Sequence, residues 1–345
     1  MKVYKGVNLS GWLLLEPWIT PDIFASTGAN NAEELQQRLG AKAYFEVYKN
    51  HVDTFINEED FLDMRNRGIN AVRIPIPWYI FGDGAPASDG YPRMIRYLDA
   101  AFSWAEIADI QVLLDLALVP GSKPCADGLK MQIAINPQNR QNILEIIDML
   151  AERYGGRSNL LGIEPLGEVQ VSKGNVFFND GTITLPHLRG FYRDAYETIR
   201  KTAGDRCKVV LSAAGEFSAW RFFMASRYYQ NVWLDVHLYH FSDQVNIGGP
   251  SGSRLLAKRS KDAIAKAQTS GLPVVVGEWS AALPISDTSL TPEGKIALER
   301  QYVASQLVTF ETCAGWFFQT WKTDTHLSGW DARSALSSFE KDMLD

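Results

Sequence analysis

Short apolar runs alternate along the chain with longer amphipathic stretches. Runs that are apolar at nearly every position are typical of parallel strands, because helices cover both faces of a parallel sheet. We predict eight such strands, at 4–9, 70–76, 111–118, 160–166, 208–213, 232–239, 273–279 and 315–321. The stretches between them predict helices, for example at 139–155, 185–204 and 291–310. The last of these has Thr291 as a plausible N-cap and Pro292 at its first helical position.

Eight strands that are each followed by a helix predict a (β/α)₈ barrel, an α/β fold, formed by residues 1–345 as a single domain. A doubly wound sheet is the alternative, but no glycine-rich phosphate loop follows any predicted strand. In a (β/α)₈ barrel the C-terminal ends of the strands carry the chemistry. Polar residues occur at these ends, namely Arg73, Asp115, Glu168, His237, Tyr239 and Glu278.

The composition is that of a protein with a large core, and it excludes several kinds of partner. Among 345 residues, 34 are basic and 40 are acidic, and the net charge of −6 argues against nucleic acid or an anionic membrane as a partner. The 10 tryptophans either fill the core or form a groove on which sugars stack. Cys125, Cys207 and Cys313 are few and far apart, so neither a disulfide framework nor a zinc site is expected.

The beginning of the chain shows no secretion pattern of a basic segment, an apolar segment and a small-residue cleavage site. Its apolar run "GWLLLEPW" is interrupted by Glu16 and is too short to span a bilayer. We therefore expect a cytoplasmic protein without a membrane partner. The sequence does not determine the oligomeric state.

Two glutamates in "LLGIEPLGEVQ" compete for a catalytic role. Glu164 and Glu168 share the same parity along the strand, so alternation alone does not separate them. Glu164 still lies within the apolar run, whereas Glu168 follows Gly167 at the rim, where a substrate can reach it. We therefore predict that Glu168 is catalytic and that Glu164 is its buried neighbour.

A further glutamate, Glu278, ends the apolar strand "VVVGEW". A carboxylate at that position is costly unless it is paired or used, so the alternative to catalysis is a structural ion pair. Carboxylates from strands four and seven that face each other at about 5–5.5 Å suit retaining glycoside hydrolysis. We predict Glu278 as the nucleophile and Glu168 as the acid/base.

Three polar residues are predicted to support this pair. Tyr239 can donate a hydrogen bond to the nucleophile, and His237 can bridge to the acid/base or to a sugar hydroxyl; a buried, satisfied pair is the alternative. Arg73 can hold a catalytic carboxylate in its charged form, a role compatible with a stabilising salt bridge. His237 and His240 point to opposite faces of a strand, so we expect no metal and no cofactor.

Several motifs together resemble the exo-β-1,3-glucanase branch of glycoside hydrolase family 5. They are "KGVNLSGWLLLEPWITPDIF", "NAVRIPIPW", "DVHLYH", "VVVGEWS" and "GWFFQTWKTD", and the similarity runs from about Gly6 to Asp324. The resemblance implies a (β/α)₈ barrel and a retaining mechanism with two glutamates. It also implies a sugar pocket lined by Glu16, Arg73, His237 and Tyr239, to which we add Trp279 and Gln319 as binding or supporting residues.

The chain departs from the family pattern at three positions of this pocket. The family's "GIELLNEP" aligns without a gap on "GIEPLGEV", which places its acid/base on Glu168 and puts Gly167 where the family has Asn. Ala117 stands where the family has His, and Gln319 where it has Trp. The missing Asn would have bound the sugar 2-hydroxyl, a contact that strengthens in the transition state. All three replacements are smaller, so we expect a roomier pocket with altered specificity.

These observations predict a retaining, exo-acting β-glycosidase for β-glucosides or modified β-glycosides. Two alternatives stay open. One is a catalytically retired barrel that binds carbohydrate. The other is a transglycosylase, which shares the covalent intermediate and differs in whether water or a sugar completes the reaction.

Overall fold

Eight parallel strands close a barrel in which each strand pairs with its neighbours in the sequence and the first pairs with the last. The computed structural model describes residues 3–86, 91–124, 131–133, 136–172, 183–243, 250–284 and 291–337. We number the barrel strands β1 Tyr4–Asn8, β2 Ala71–Pro77, β3 Gln111–Leu118, β4 Leu160–Glu164, β5 Lys208–Ser212, β6 Val232–Leu238, β7 Val274–Trp279 and β8 Gly315–Phe318. All eight coincide with the predicted apolar runs, which confirms the predicted fold class.

Helices surround the barrel in the order of the chain. They are α1 Pro21–Ala25, α2 Ala32–Leu39, α3 Ala41–Thr54, α4 Glu58–Asn66, α5 Ile95–Ile107, α6 Pro137–Tyr154, α7 Leu185–Ala203, α8 Pro250–Gln268, α9 Pro292–Phe310 and α10 Ala332–Ala335. The predicted start of α9 is confirmed, because the Thr291 side chain accepts a hydrogen bond from the Gly294 amide. Among the described residues, none of the helices is long and apolar enough to cross a bilayer.

The connection between β5 and β6 differs from the prediction that each strand is followed by a helix. Residues 213–231 contain a single 3₁₀ turn, Phe217–Trp220, and no α-helix. The indole of Trp220 is fully buried and its Nε1 donates to the carbonyl oxygen of Ala213. This packed turn covers the barrel where a helix lies in the other connections. Outside the barrel, Ser122–Pro124, Met131–Ile133 and Val169–Gln170 form a small three-stranded sheet.

The barrel interior has an apolar layer below a polar one. One buried cluster takes side chains from all eight strands and therefore lies inside the barrel. It consists of Ala71, Leu113, Leu161, Val210, Trp233, Val275, Ala314, Phe317 and the packed ring of Tyr4. Two residues further along their strands, Arg73, Asp115 and Asp235 point to the same interior. The apolar layer closes the barrel from below, so the polar layer becomes the floor of a site at the C-terminal end.

Candidate active site

Two partly exposed carboxylates face one another at the C-terminal end of the barrel. Glu278 lies near the end of β7, and Glu168 lies just beyond β4. One oxygen of each carboxylate and a ring nitrogen of His237 all lie within 4.8 Å of one another. The Glu278 and Glu168 side chains retain 14% and 19% of their exposure, so both are accessible from the cavity. The structure brings together the two residues that the sequence proposed as a pair.

The two glutamates at the end of β4 are separated by depth. Glu164 is completely buried, and its Oε2 accepts a hydrogen bond from Arg73 Nε at 2.8 Å. Burial raises the pKa of Glu164 well above its usual range, although Arg73 opposes that shift. Its other oxygen has no hydrogen-bond partner among the described residues. Glu164 therefore lies beneath the site, and Glu168 is the one that a substrate can touch.

Arg73 on β2 connects this buried layer to the cavity. Its guanidinium is fully buried, and its Nη1 donates to Glu278 Oε1 at 2.8 Å and to Asn8 Oδ1 at 3.0 Å. Its Nη2 forms an ion pair with Asp115 Oδ2 at 3.0 Å. Burial disfavours the charged guanidinium, but the surrounding carboxylates more than offset this and raise the pKa of Arg73. The Arg73 guanidinium thus holds one oxygen of Glu278 in place through Nη1 and stabilises the negative charge of this carboxylate.

Tyr239 and His237, at the end of β6, bind the same carboxylates from the other side. The Tyr239 hydroxyl donates to Glu278 Oε2 at 2.6 Å. His237 Nδ1 lies 2.7 Å from Glu168 Oε1 and 3.4 Å from Glu278 Oε2, while its Nε2 lies 3.0 Å from Asp235 Oδ2. Burial alone would lower the pKa of His237, but these carboxylates raise it well above its usual range. The surrounding carboxylates thus favour the protonated form of His237, in which both ring nitrogens donate.

A β-bulge in β7 directs Glu278 into the cavity. Val276 pairs with Val236, but Glu278 pairs with the next residue, His237, so that Gly277 is an extra residue in the strand. The Gly277 amide donates to Asp235 Oδ1, and a Cβ at Gly277 would lie 2.0 Å from the other oxygen of Asp235. Glycine is required here because no side chain fits between the two strands.

The bulge also distinguishes between the binding and the supporting role that were expected for Trp279. With Glu278 pointing inwards, Trp279 points outwards and is completely buried. Its indole packs edge-on against Phe310, Trp316 and Phe318, at centroid distances of 5.1–5.7 Å. Trp279 supports the strand from behind and does not contact the cavity.

Glu16, on the loop after β1, shares the electrostatic environment of Glu278. Its Oε1 accepts from the Gly11 amide at 3.1 Å, and its Oε2 accepts from Trp18 Nε1 at 2.9 Å. Burial is the main cause that raises the pKa of Glu16 to about 7, opposed by the Trp18 bond and reinforced by the charge of Glu278. Glu16 is therefore partly protonated at neutral pH, and it can both donate to and accept from a sugar hydroxyl.

Four rings form an aromatic wall beside this carboxyl group. Trp330 lies 5.1 Å from Trp18, 5.6 Å from Tyr239 and 5.2 Å from Phe241, measured between ring centroids. All four rings are half-buried. The aromatic wall thus connects Glu16, through Trp18, to the tyrosine that binds Glu278. Apolar faces of sugars lie well on such rings.

The departures from the family pattern change the floor of the cavity. A Cβ at Gly167 would lie 2.7 Å from Asp115 Oδ1 and 3.1 Å from its Oδ2, so Asp115 fills the space next to Gly167. Asp115 Oδ1 is buried without a hydrogen-bond partner in the described part of the chain, and burial raises the pKa of Asp115 to about 7. Gln319 is also buried, and its Oε1 accepts a hydrogen bond from the Ser10 hydroxyl at 3.0 Å.

Among the described residues, two groups have a geometry that would allow metal binding, and both contain His237. They are Glu168, His237 and Glu278, and Glu164, Asp235 and His237. An imidazole must be neutral to bind a metal, whereas the carboxylates around His237 favour its protonated form. His240, two residues beyond the end of β6, is bonded to Asp243 and Ser260 at 2.8 Å each and points away from the cavity.

Some residues of the site were not identified from the sequence. These are Asn8, Asp235, Trp18 and Trp330, which were missed because their sequence signals are weak. Asp235 interrupts the apolar run of β6 two residues before His237. Residues two apart on a strand point to the same face, so this spacing was the signal that could have placed Asp235 in the site. Trp330 follows a segment without regular structure, and only the folded chain places it over Tyr239.

Comparisons with known proteins agree with this arrangement. A glucan 1,3-beta-glucosidase from Blumeria graminis is 30% identical, covering 93% of this chain and 82% of its own. A probable glucan 1,3-beta-glucosidase A from Aspergillus fumigatus is 29% identical, covering 97% and 86%. Among solved structures, a rutinosidase from Aspergillus niger has a TM-score of 0.78 at 20% identity and covers 98% of both chains, which shows a shared fold.

A family model provides the assignment. The model described as Cellulase (glycosyl hydrolase family 5) matches residues 34–307, which is more than half of the chain. The match confirms the resemblance in the sequence and agrees with the closed barrel and its facing carboxylates. This chain belongs to glycosyl hydrolase family 5 and is a glycoside hydrolase of the retaining kind.

Proposed function

We propose that this retaining β-glycosidase is exo-acting and removes a terminal sugar from β-glucosides or modified β-glycosides, with Glu278 as the nucleophile and Glu168 as the acid/base. The observation that carries the proposal is the pair of facing carboxylates, whose oxygens lie within 4.8 Å of each other and of His237. A short separation suits a double displacement, because there is no room for a water molecule between the attacking carboxylate and the sugar. The names of the glucosidase relatives support β-glucosides as the substrate class.

In the first step Glu278 attacks the anomeric carbon while Glu168 protonates the departing oxygen. Arg73 and Tyr239 bind one oxygen of Glu278 each, which fixes the orientation of the carboxylate. His237 Nδ1 lies within reach of both glutamates. Its positive charge stabilises the carboxylate form of Glu168 that results from proton transfer.

In the second step Glu168 takes a proton from water as the water oxygen attacks the anomeric carbon. This attack releases the sugar from Glu278. The ester bond between the sugar and Glu278 breaks, and the electron pair returns to the carboxylate. Arg73 and Tyr239 then stabilise the negative charge that returns to the Glu278 carboxylate. A sugar in place of water would give transglycosylation through the same intermediate.

The preference for a modified sugar is part of the proposal. Gly167 and Ala117 carry little or no side chain, and the carboxyl group of Asp115 occupies the position next to Gly167. Gln319 is smaller than the tryptophan of the family and is held by Ser10. These changes support a sugar with a substituent, or a linkage other than β-1,3.

Trapping with 2-fluoro glycosides tests the proposal. A panel of activated 2-fluoro β-glycosides that differ in the glycone is incubated with the protein, and the labelled peptide is identified by mass spectrometry. We expect a label on Glu278 with at least one glycone, and none in the Glu278→Gln variant. Labelling of another carboxylate, or no label across the panel while the sugars still bind, would support a retired carbohydrate-binding barrel instead.

A second experiment tests the acid/base separately. Glu168→Ala removes the proton donor, so hydrolysis of glycosides with poor leaving groups should fall far more than hydrolysis of activated aryl glycosides. Glu164→Gln serves as the comparison, because Glu164 lies beneath the site and does not face the cavity. If the leaving-group dependence appears in the Glu164 variant and not in the Glu168 variant, the assignment is reversed.

A further inference from the structure

A second cavity borders residues 322–326 and Arg333, which flank Trp330 in the sequence. It has a volume of about 460 Å³ and is bordered by α1, α3 and the segment that follows β8. This volume falls within the range of roughly 300–1,000 Å³ that is usual for small-molecule sites. None of the proposed catalytic residues borders it. The proposed reaction therefore leaves this cavity without a role.

The cations that border the cavity already have acidic partners. Lys322 Nζ bonds both oxygens of Asp60, at 2.8 and 2.9 Å. Arg333 binds Asp331 at 2.6 Å and His326 at 2.8 Å. Because an anion would have to compete with these carboxylates, the cavity offers polar donors without an excess of positive charge. That arrangement favours a neutral ligand with several hydroxyl groups over a phosphate.

The α3 wall of the cavity combines a neutral acceptor with an apolar surface. His51 Nε2 lies 2.6 Å from the Gly11 carbonyl oxygen and therefore holds the proton, so Nδ1 is the accepting nitrogen of the ring. Burial lowers the pKa of His51 to about 4, so the ring stays neutral near pH 7. The Phe55 ring lies 4.7 Å away, and Ile23 and Val47 add apolar surface.

Hydroxyl-binding groups complete the lining of the cavity. Asn50 and Thr54 are exposed on α3, and the exposed carboxylate of Asp324 lies on the segment after β8. Interleaved donors and acceptors beside a half-apolar wall match a pyranose, which has hydroxyl groups at its edge and C–H groups on its faces.

We propose that this cavity is a second carbohydrate-binding site that holds a neutral sugar unit outside the catalytic pocket. Gly11 lies between the two sites, since its amide donates to Glu16 and its carbonyl oxygen accepts from His51. A sugar unit bound here would keep the protein attached to a carbohydrate while the catalytic pocket exchanges product for substrate. The proposal does not depend on which sugar is hydrolysed.

The 5 histidines of the chain make the two sites distinguishable in one experiment. His51 and His326 border the second cavity, and His237 lies between the catalytic glutamates. His187 and His240 face neither site and serve as internal controls. Histidine-labelled Glu278→Gln protein, which the proposed mechanism predicts to be inactive, is titrated with glucose, cellobiose and laminaribiose, and the imidazole NMR signals are followed.

We expect His51 and His326 to shift with a concentration dependence different from that of His237. Asn50→Trp fills the cavity and should abolish these shifts, with Thr54→Trp as an independent second variant. Glu46→Trp, one turn earlier on α3 and outside the cavity, should retain them. With Glu278 intact, Asn50→Trp should hydrolyse a small aryl glycoside at the unchanged rate, which verifies the fold and separates this test from that of the proposed function.

Three outcomes would overturn the inference. The first is that the sugars shift His237 alone. The second is that shifts at His51 and His326 persist in both tryptophan variants of the cavity. The third is that inorganic phosphate shifts these two signals and the sugars do not, which would make the cavity an anion site.

Discussion

Tyr239→Phe separates the two steps of the proposed reaction. The substitution removes one hydrogen bond, from the Tyr239 hydroxyl to Glu278 Oε2 at 2.6 Å, and leaves the phenyl ring within the aromatic wall. Glu278 loses its charge during the first step, when the bond to the sugar forms, and regains it during the second. A donor to this carboxylate therefore assists the second step more than the first.

The size of the effect follows from the type of bond. A hydrogen bond to a charged group contributes about 1.5–3 kcal/mol, which corresponds to roughly 10- to 150-fold. Only part of the charge has returned to Glu278 in the second transition state. We therefore expect release of the sugar to slow by about tenfold or more, and formation of the intermediate to slow less. The glycosyl-enzyme then accumulates in the variant.

The assay is stopped-flow hydrolysis of a dinitrophenyl β-glycoside together with intact-protein mass spectrometry. Tyr239→Phe should show a burst of released phenol close to one equivalent, a slower steady state and a mass increase of one sugar. Tyr228→Phe is the matched control, because it removes a phenol–carboxylate bond of 2.9 Å to Glu197 on the surface. A variant that slows the burst phase as much as the steady state, without the added mass, would refute this account of Tyr239.

Three other variants test the floor and the wall of the site. Gly277→Ala should lower the free energy of unfolding by about 1–3 kcal/mol or more in urea titrations, because its Cβ would meet Asp235 at 2.0 Å, whereas Gly156→Ala, with open space around it, should have little effect. Asp115→Asn should remove a pH dependence of the free energy of unfolding. In the wild-type protein the folded pKa of Asp115, about 7, lies above its unfolded value. The stability that this group contributes is therefore complete below about pH 4 and is lost as the pH rises towards 7. Urea midpoints from pH 4 to 8 should therefore fall less for this variant, and parallel curves would contradict the assignment. Trp330→Ala should raise KM by about two- to tenfold, the value of one aromatic contact, with a smaller change in kcat.

The fold was predictable because strand burial leaves a direct sequence signal. All eight predicted strands exist, and their bounds differ by a few residues at most. The largest difference concerns β8, predicted to residue 321 but ending at Phe318. There the backbone leaves the barrel ladder, and the amide of Trp321 donates to the Asn8 carbonyl oxygen. The absence of an α-helix between β5 and β6 was not predictable from the alternation of strands and helices, because a packed 3₁₀ turn can cover the barrel equally well.

The sequence predicted a site residue correctly where its position along the strand determines whether it reaches the cavity. It did not do so where the strand register determines which way the side chain points. Glu168 and Glu164 could be distinguished because one lies beyond the apolar run. The orientation of Trp279 depends on the bulge at Gly277, which shifts the alternation of side chains by one residue. The space filled by Asp115 beside Gly167 depends on two different strands, so it is visible only in the folded chain.

The layering of the barrel also determines which acid carries a proton. Arg73 is surrounded by four carboxyl groups, and its single positive charge cannot balance all of them. Burial raises the pKa of the deepest one, Glu164, well above its usual range and that of Asp115 to about 7, so burial favours the protonated form of both groups. Protonation of the two deep groups leaves the guanidinium available to Glu278, which it contacts at 2.8 Å. The apolar layer below and the open cavity above thus direct the charge of one arginine towards the carboxylate that meets the substrate.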